Sequence, residues 1–190
     1  MRRLVFYIIL SADGMYAGPD DSLDHYEPTE DEHQFANDEL RESGDVVMGR
    51  RMYDVMSFWD ELDLTRTDIS DVEREYAMLW RQTPKHVVSR GDPSLREHAS
   101  VLEGEVVEAV RRLKAEDGPD IELGCGAELF ATLAEAGLID VYRWLVIPKA
   151  IGAGKAMFSE LTRPLDLRLV GTRTFSSGSV LLEYEPAKRV

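Results

Sequence analysis

Ile121-Glu-Leu-Gly-Cys-Gly-Ala-Glu-Leu-Phe130 is a strand that stops at two glycines and turns directly into a helix. Glycine permits backbone angles closed to other residues and lets a ligand approach the main chain. The new helix aims unpaired N–H groups and the positive end of its dipole over the turn, which suits an anion such as a pyrophosphate. Ordinary strand-to-helix turns also use glycine, so the next block matters: Asp140-Val-Tyr-Arg-Trp-Leu-Val-Ile-Pro-Lys-Ala-Ile-Gly-Ala-Gly-Lys-Ala-Met-Phe158. Together the two blocks make the reading specific.

Outward from that turn, strand and helix signals alternate. Residues 3–10 form a continuous apolar run, as expected of a strand covered on both faces of a parallel sheet. After a Gly/Asp/Pro-rich loop, Pro28 opens an amphipathic helix with Phe35 and Leu40 on one stripe, ended by Gly44. A strand over 45–49, a helix over 50–59, a helix near 71–82 and a strand over 85–89 follow. Residues 100–102 read as a short strand, 105–116 as a helix, 121–124 as a strand, 127–136 as a helix and 142–148 as a strand. Residues 165–175 and 179–184 close the chain as two strands joined at Ser176-Ser-Gly178. The pattern predicts an α/β fold with a mainly parallel central sheet flanked by helices and a C-terminal antiparallel hairpin. With no internal repeat or linker, residues 1–190 are expected to form a single domain.

Composition narrows the function. A hydrophobic content of 44% with 31% charged residues is that of an ordinary globular protein. The single cysteine, Cys125, removes any internal disulfide or thiolate zinc cluster, and a cytoplasmic location is the default expectation. His25, His33, His86 and His98 are scattered without metal spacing, so no metal is expected. The start resembles a short signal segment, but its apolar run meets Asp13-Gly14 without a small-residue cleavage site, which favours a buried strand. No apolar run approaches the ~20 residues of a membrane helix. A formal charge of −14 argues against nucleic acid, whose phosphates need clustered Lys and Arg. That acidity is local: residues 18–45 hold eleven acidic side chains against Arg41 alone. Such a segment is either a solvated face or a lid that repels anions and accepts cationic partners. An anionic cofactor then belongs near Arg50, Arg51, Arg90 or Lys155.

Three strand-to-helix turns stand out: Met48-Gly49-Arg50-Arg51-Met52-Tyr53, Val88-Ser89-Arg90 and Leu123-Gly124-Cys125-Gly126-Ala127-Glu128. In an open parallel sheet such carboxyl ends lie along one edge, where ligands bind. Arg50 and Arg51 at a helix start oppose the dipole, and a bound anion gives them a reason to be there. No Gly-x-Gly-x-x-Gly follows the first strand, and there is no P-loop.

Six pieces in order carry a family resemblance. They are Ser11-Ala-Asp-Gly14, Val47-Met-Gly-Arg-Arg-Met-Tyr53, Val87-Val-Ser-Arg90, Leu123-Gly-Cys-Gly126, the 140–158 block and residues 175–184. The chain resembles the dihydrofolate reductase-like superfamily, specifically the C-terminal reductase domain of the riboflavin-biosynthesis deaminase/reductase. The resemblance implies NADPH-dependent hydride transfer to a pteridine- or pyrimidine-like ring, the family's named substrate being 5-amino-6-(5-phosphoribosylamino)uracil. It places Gly49, Arg50, Arg51 and Met52 at the phosphates, and Ser89 and Arg90 at the adenosine-ribose phosphate. Gly124, Cys125, Gly126, Ala127, Glu128 and Leu129 fall around the pyrophosphate and nicotinamide. Asp13 and Gly14 fall in the segment that closes over the nicotinamide. It also implies a cis bond at Gly124–Cys125. Met52 departs from the pattern, since a hydroxyl residue often stands there.

On the substrate side, dihydrofolate reductases carry one acid in the helix after the mobile loop. Here that helix is crowded with Glu30, Asp31, Glu32, Asp38 and Glu39. Asp31 is the candidate for a catalytic acid, with Asp13 a second; the alternative for Asp31 is a helix-start acid facing water. The expected partner is a small-molecule substrate, with no nucleic acid and no membrane, and the apolar 142–147 strand offers a seam for a homodimer. A non-catalytic nucleotide-binding or regulatory protein on the same fold is the competing reading.

Overall fold

The computed structural model describes residues 1–187. In chain order the elements are β1 (Leu4–Ser11), β2 (Met15–Ala17), α1 (Glu30–Glu42), β3 (Asp45–Gly49), α2 (Arg50–Met56), α3 (Phe58–Glu61), α4 (Asp71–Gln82) and β4 (Lys85–Val88). There follow β5 (Ala99–Val101), α5 (Val106–Ala115), β6 (Ile121–Gly124), α6 (Ala127–Glu135), β7 (Val141–Ile147), β8 (Lys155–Ala156), β9 (Leu167–Thr174) and β10 (Val180–Pro186).

The main sheet runs in the order β5-β4-β3-β6-β1-β7-β10-β9. Every pairing from β5 to β7 is parallel, and β10 runs antiparallel to both β7 and β9. This is the predicted α/β architecture, closed at one edge by the C-terminal hairpin. β1 lies between β6 and β7, which explains its unbroken apolar run. Leu4, Phe6, Ile8 and Leu10 pack with Val110 and Leu113 of α5 and with Phe130 and Leu133 of α6. Tyr7 and Ile9 point to the opposite face, against Phe35 of α1. Further along that face Leu40, Val46, Met48, Tyr53, Tyr76 and Trp80 make a second core. Fully burying side chains of this size contributes ~1.5–3 kcal/mol each.

Three local differences from the sequence reading have physical causes. The helix over 50–59 is two helices, because the Ser57 hydroxyl donates back to the Tyr53 carbonyl at 2.9 Å and competes with the helical ladder. β2 and β8 pair antiparallel as a small second sheet within stretches too short to show alternation. Gly154 is required there: a Cβ at that position would stand 2.3 Å from the Ala17 carbonyl oxygen. Finally, β7 is flanked on both edges by β1 and β10, and the free edges of the sheet are β5 and β9. His86 is structural, its Nε2 lying 2.9 Å from Asp45, which Arg2 also contacts. Among the described residues no helix is long and apolar enough to cross a membrane.

Candidate active site

β4, β3 and β6 are neighbours in the sheet, so their three carboxyl-end turns lie side by side. Above them opens a cleft of about 880 Å3. Gly49, Arg50, Arg51 and Met52 line it from the β3–α2 turn, and Ser89 and Arg90 from the end of β4. Gly126, Ala127, Glu128 and Leu129 line it from the start of α6. The volume sits within the ~300–1,000 Å3 common for ligand sites. Gly126, the N-cap of α6, accepts no side-chain capping bond and leaves the first-turn N–H groups to the cleft. A Cβ added at Gly126 would come 3.1 Å from the Tyr16 hydroxyl, so a side chain there would make Tyr16 give way where β2 crosses the turn.

Two of the cleft's three arginines are partnered, and Arg51 has no side-chain partner among the described residues. Arg50 donates to Asp54 at 2.9 Å, one helical turn on, and Arg90 pairs with Glu128. The Arg90 side chain is 92% exposed and that of Glu128 74%. Such a solvated pair is worth ~0–1 kcal/mol, so an arriving phosphate can take the guanidinium from it. Lys155 is held by Asp21.

Not every expected residue lies in the cleft. Cys125 is fully buried, and burial pushes its thiol well above the ordinary range, so it is packing rather than a nucleophile. No cis peptide bond occurs among the described residues, so the cis geometry expected at Gly124–Cys125 is replaced by the ordinary trans form. Gly124 faces a different, smaller cavity. Gly14, at φ +82°, makes the β1–β2 turn, donating to the Ser11 carbonyl at 2.8 Å, and lines neither cavity. Asp13 accepts from the Ser11 hydroxyl and from the Ile151 and Gly152 N–H groups, which lower its pKa to about 2. It ties the end of β1 to the loop after β7. Asp31 accepts from the Thr29 hydroxyl and from the N–H and hydroxyl of Ser176, bonds that lower its pKa, and it too lines neither cavity. The two carboxylates proposed from sequence are therefore fasteners between loops, because hydroxyl and N–H donors surround them.

The smaller cavity, about 230 Å3, lies between the β1–β6 face of the sheet and α1 and is open on one side. Tyr7, Tyr26, Trp59 and Tyr76 supply aromatic walls. Three carboxylates border it. Glu32, the fourth residue of a capping box, accepts from the Tyr26 hydroxyl at 3.2 Å, the Thr29 N–H at 2.8 Å and the Ser177 hydroxyl at 2.6 Å. Burial raises its pKa, but these bonds outweigh burial and leave it lowered. Glu39 pairs with Arg143, which also binds Glu183 at 2.6 Å; burial still leaves Glu39 raised. Glu122 is different. It sits in the centre of the sheet between Val5 and Val46, and among the described residues no hydrogen bond reaches its carboxyl. Burial, reinforced by Glu39 and opposed by Arg143, pushes it up to about 7. His33 completes this wall, edge-on to Trp59 and Tyr76, with Nδ1 3.3 Å from the Asn37 side-chain oxygen.

Tyr16, Leu23 and Met52 line both cavities and form the seam between them. Met52, where a hydroxyl was expected, is thus a flexible apolar divider. Sequence reasoning named Glu39 among the acids of α1 without choosing it, and did not single out Glu122, His33, Trp59 or Tyr76 as lining a cavity. For Glu122 a signal existed: a charged residue inside a short strand that is central to a parallel sheet.

Comparison with known proteins agrees with this geometry. The RibD C-terminal domain family matches residues 2–181. The uncharacterized protein YyaP of Bacillus subtilis (strain 168) is 30% identical over 183 residues, spanning 96% of this chain and 94% of its own. YwjB of the same organism is 29% identical over 184 residues, spanning 96% and 97%. Among solved structures, the Thermotoga maritima diaminohydroxyphosphoribosylaminopyrimidine deaminase/5-amino-6-(5-phosphoribosylamino)uracil reductase superposes with a TM-score of 0.67 at 16% identity, over 98% of this chain and 57% of that one. Enterococcus faecalis dihydrofolate reductase, complexed with NADP(H), gives 0.66 at 14% identity, over 98% and 97%. The structural likenesses establish a dihydrofolate reductase-like fold, and the match over nearly the whole sequence establishes that the chain belongs to the RibD C-terminal domain family.

Proposed function

We propose that the protein is an NADPH-dependent oxidoreductase that passes a hydride to a pteridine- or pyrimidine-like ring. The observation that carries this reading is the shared wall: Tyr16, Leu23 and Met52 border both the arginine-lined cleft and the smaller aromatic cavity. A group held in one abuts a group held in the other, which is what direct transfer requires. The residues of the cleft fit a dinucleotide. The α6 N-terminus at Gly126 would take the pyrophosphate, and Ser89 and Arg90 the adenosine 2′-phosphate. When bound, NADPH supplies the hydride, and the protein supplies orientation and a dry site.

Within the chain, Tyr16 and Met52 screen the seam from water. Asp13 and Asp31, both lowered by their hydrogen bonds, hold no proton near neutral pH. Glu122, pushed up to about 7, is the carboxyl of the smaller cavity that can both hold and release a proton near neutral pH. The test is calorimetric titration with NADPH, followed by NADPH oxidation over pteridines, pyrimidines and small carbonyls. Binding with turnover on a ring substrate supports the assignment. Absence of NADPH binding overturns it. Binding without turnover on any of these compounds replaces the reductase with a nucleotide-binding protein on the same fold.

A further inference from the structure

We propose that Tyr16 is a catalytic residue: its hydroxyl gives the proton that accompanies hydride transfer, to the oxygen or nitrogen of a polarised double bond held at the seam. This rests on the reductase reading and adds the proton donor to it. Three observations carry it.

The first is place. Tyr16 lies in β2 and lines both the cleft and the smaller cavity, together with Leu23 and Met52. Of these three side chains only the phenol has a proton to give. The acids lie elsewhere. Asp13 and Asp31 fasten loops and line neither cavity, while Glu32, Glu39 and Glu122 line the smaller cavity alone. Asp21, Asp54 and Glu128 line the cleft alone, and each is paired with a cation.

The second is freedom. The Tyr26 hydroxyl is committed to Glu32, and the Tyr53 hydroxyl accepts from the Arg96 N–H. The Tyr16 hydroxyl has no hydrogen-bond partner among the described residues. The one side-chain polar atom sealed from solvent without a partner among them is Trp144 Nε1, so the Tyr16 hydroxyl stays accessible to a ligand.

The third is charge. The hydroxyl stands against Gly126, where an added Cβ would come 3.1 Å from it. Gly126 is the N-cap of α6, and the positive end of that helix favours the phenolate left behind when the proton has gone. In the step, the carbon of the C=O or C=N bond gains a hydride, with the dihydronicotinamide as the two-electron source. The π electron pair moves to the heteroatom, which takes the Tyr16 proton as the phenol O–H bond breaks. After product leaves, water reaching the hydroxyl from the cleft restores its proton.

The experiment compares the native protein with Tyr16→Phe, which removes one oxygen and no hydrogen bond to the described residues. The probes are 7,8-dihydropterin for a C=N bond and 4-nitrobenzaldehyde for a C=O bond, each with saturating NADPH. In Tyr16→Phe, kcat is expected to fall about a hundredfold or more, while the probe KM and the NADPH affinity change by less than about threefold. A readout independent of turnover is the 19F resonance of 3-fluorotyrosine placed at position 16, which is expected to shift when NADPH is added. Equal kcat in the two proteins, a loss confined to NADPH affinity, or a resonance unmoved at saturating NADPH would each overturn the proposal. Turnover by the native protein in those cases leaves the reductase reading standing. A native protein that binds NADPH but reduces neither probe also overturns the proposal, and failure to bind NADPH removes the reductase reading itself.

Discussion

The larger cleft and the smaller cavity share three residues and are built on opposite principles. The cleft is mostly backbone: three turns at the ends of β3, β4 and β6, a helix start and arginines whose partners are solvated. The cavity is mostly side chain, drawing Tyr7 from β1, Glu122 from β6, Glu39 from α1, Trp59 from α3 and Tyr76 from α4. A site made from backbone turns is set by a few contiguous residues and tolerates change around it. One assembled from single residues on many elements depends on the whole packing, and its chemistry can change by one substitution without disturbing the fold.

The comparison can be broken first in the cleft. Gly126→Val adds a branched side chain where Tyr16 already lies 3.1 Å from a notional Cβ, and it blocks close approach to the α6 N–H groups. NADPH affinity should fall by ~3 kcal/mol, the upper range for a charge-assisted bond. Unchanged NADPH affinity in calorimetry would mean that the α6 N-terminus does not hold the nucleotide.

The cavity is probed by pH. Glu122 rises from 4.5 to about 7 on folding, with Glu39 of α1 reinforcing burial and Arg143 of β7 opposing it; Tyr7 and Tyr76 also face it. The folded chain therefore binds this proton more tightly than the unfolded chain. The resulting penalty is absent below pH 4.5, grows as pH rises and is complete above about 7. Glu122→Gln removes it, so urea unfolding should show the variant more stable than native by ~2 kcal/mol at the alkaline end and equal to it at the acid end. A constant difference across that range would deny Glu122 its raised pKa.

Smaller effects sharpen the cofactor side. Arg90→Ala should weaken NADPH by ~1.5 kcal/mol and leave NADH unchanged, read by titration of both nucleotides. Glu128→Gln releases Arg90 from its exposed partner and should tighten NADPH by ~0.5 kcal/mol. A loss of NADPH affinity in that variant would show that Glu128 itself contacts the nucleotide.

The legibility of the two regions follows from their construction. Apolar runs and glycine stops placed β3, β6 and α4 at the bounds observed, because periodicity and turn chemistry are local. The same locality exposed Gly49, Arg50, Ser89, Arg90 and Gly126 as neighbours at one sheet edge. The surroundings of Asp31 were not legible for a physical reason: helix phase says which way a residue leans, but not that Ser176, far along the chain, will bond it. β2 and β8 were invisible because two- and three-residue strands have no period. Glu122 was legible only as an anomaly, a carboxylate in a central strand, and its meaning required the cavity that α1 closes over it.

The most direct test of the two-region account is the position of the nicotinamide ring in a crystal of the protein with NADPH. The account predicts the ring at the seam, against Tyr16 and Met52, with its reactive face toward the cavity that holds Glu122 and the adenosine phosphate beside Arg90. An adenine at the seam, or a nicotinamide away from Tyr16 and Met52, would contradict it.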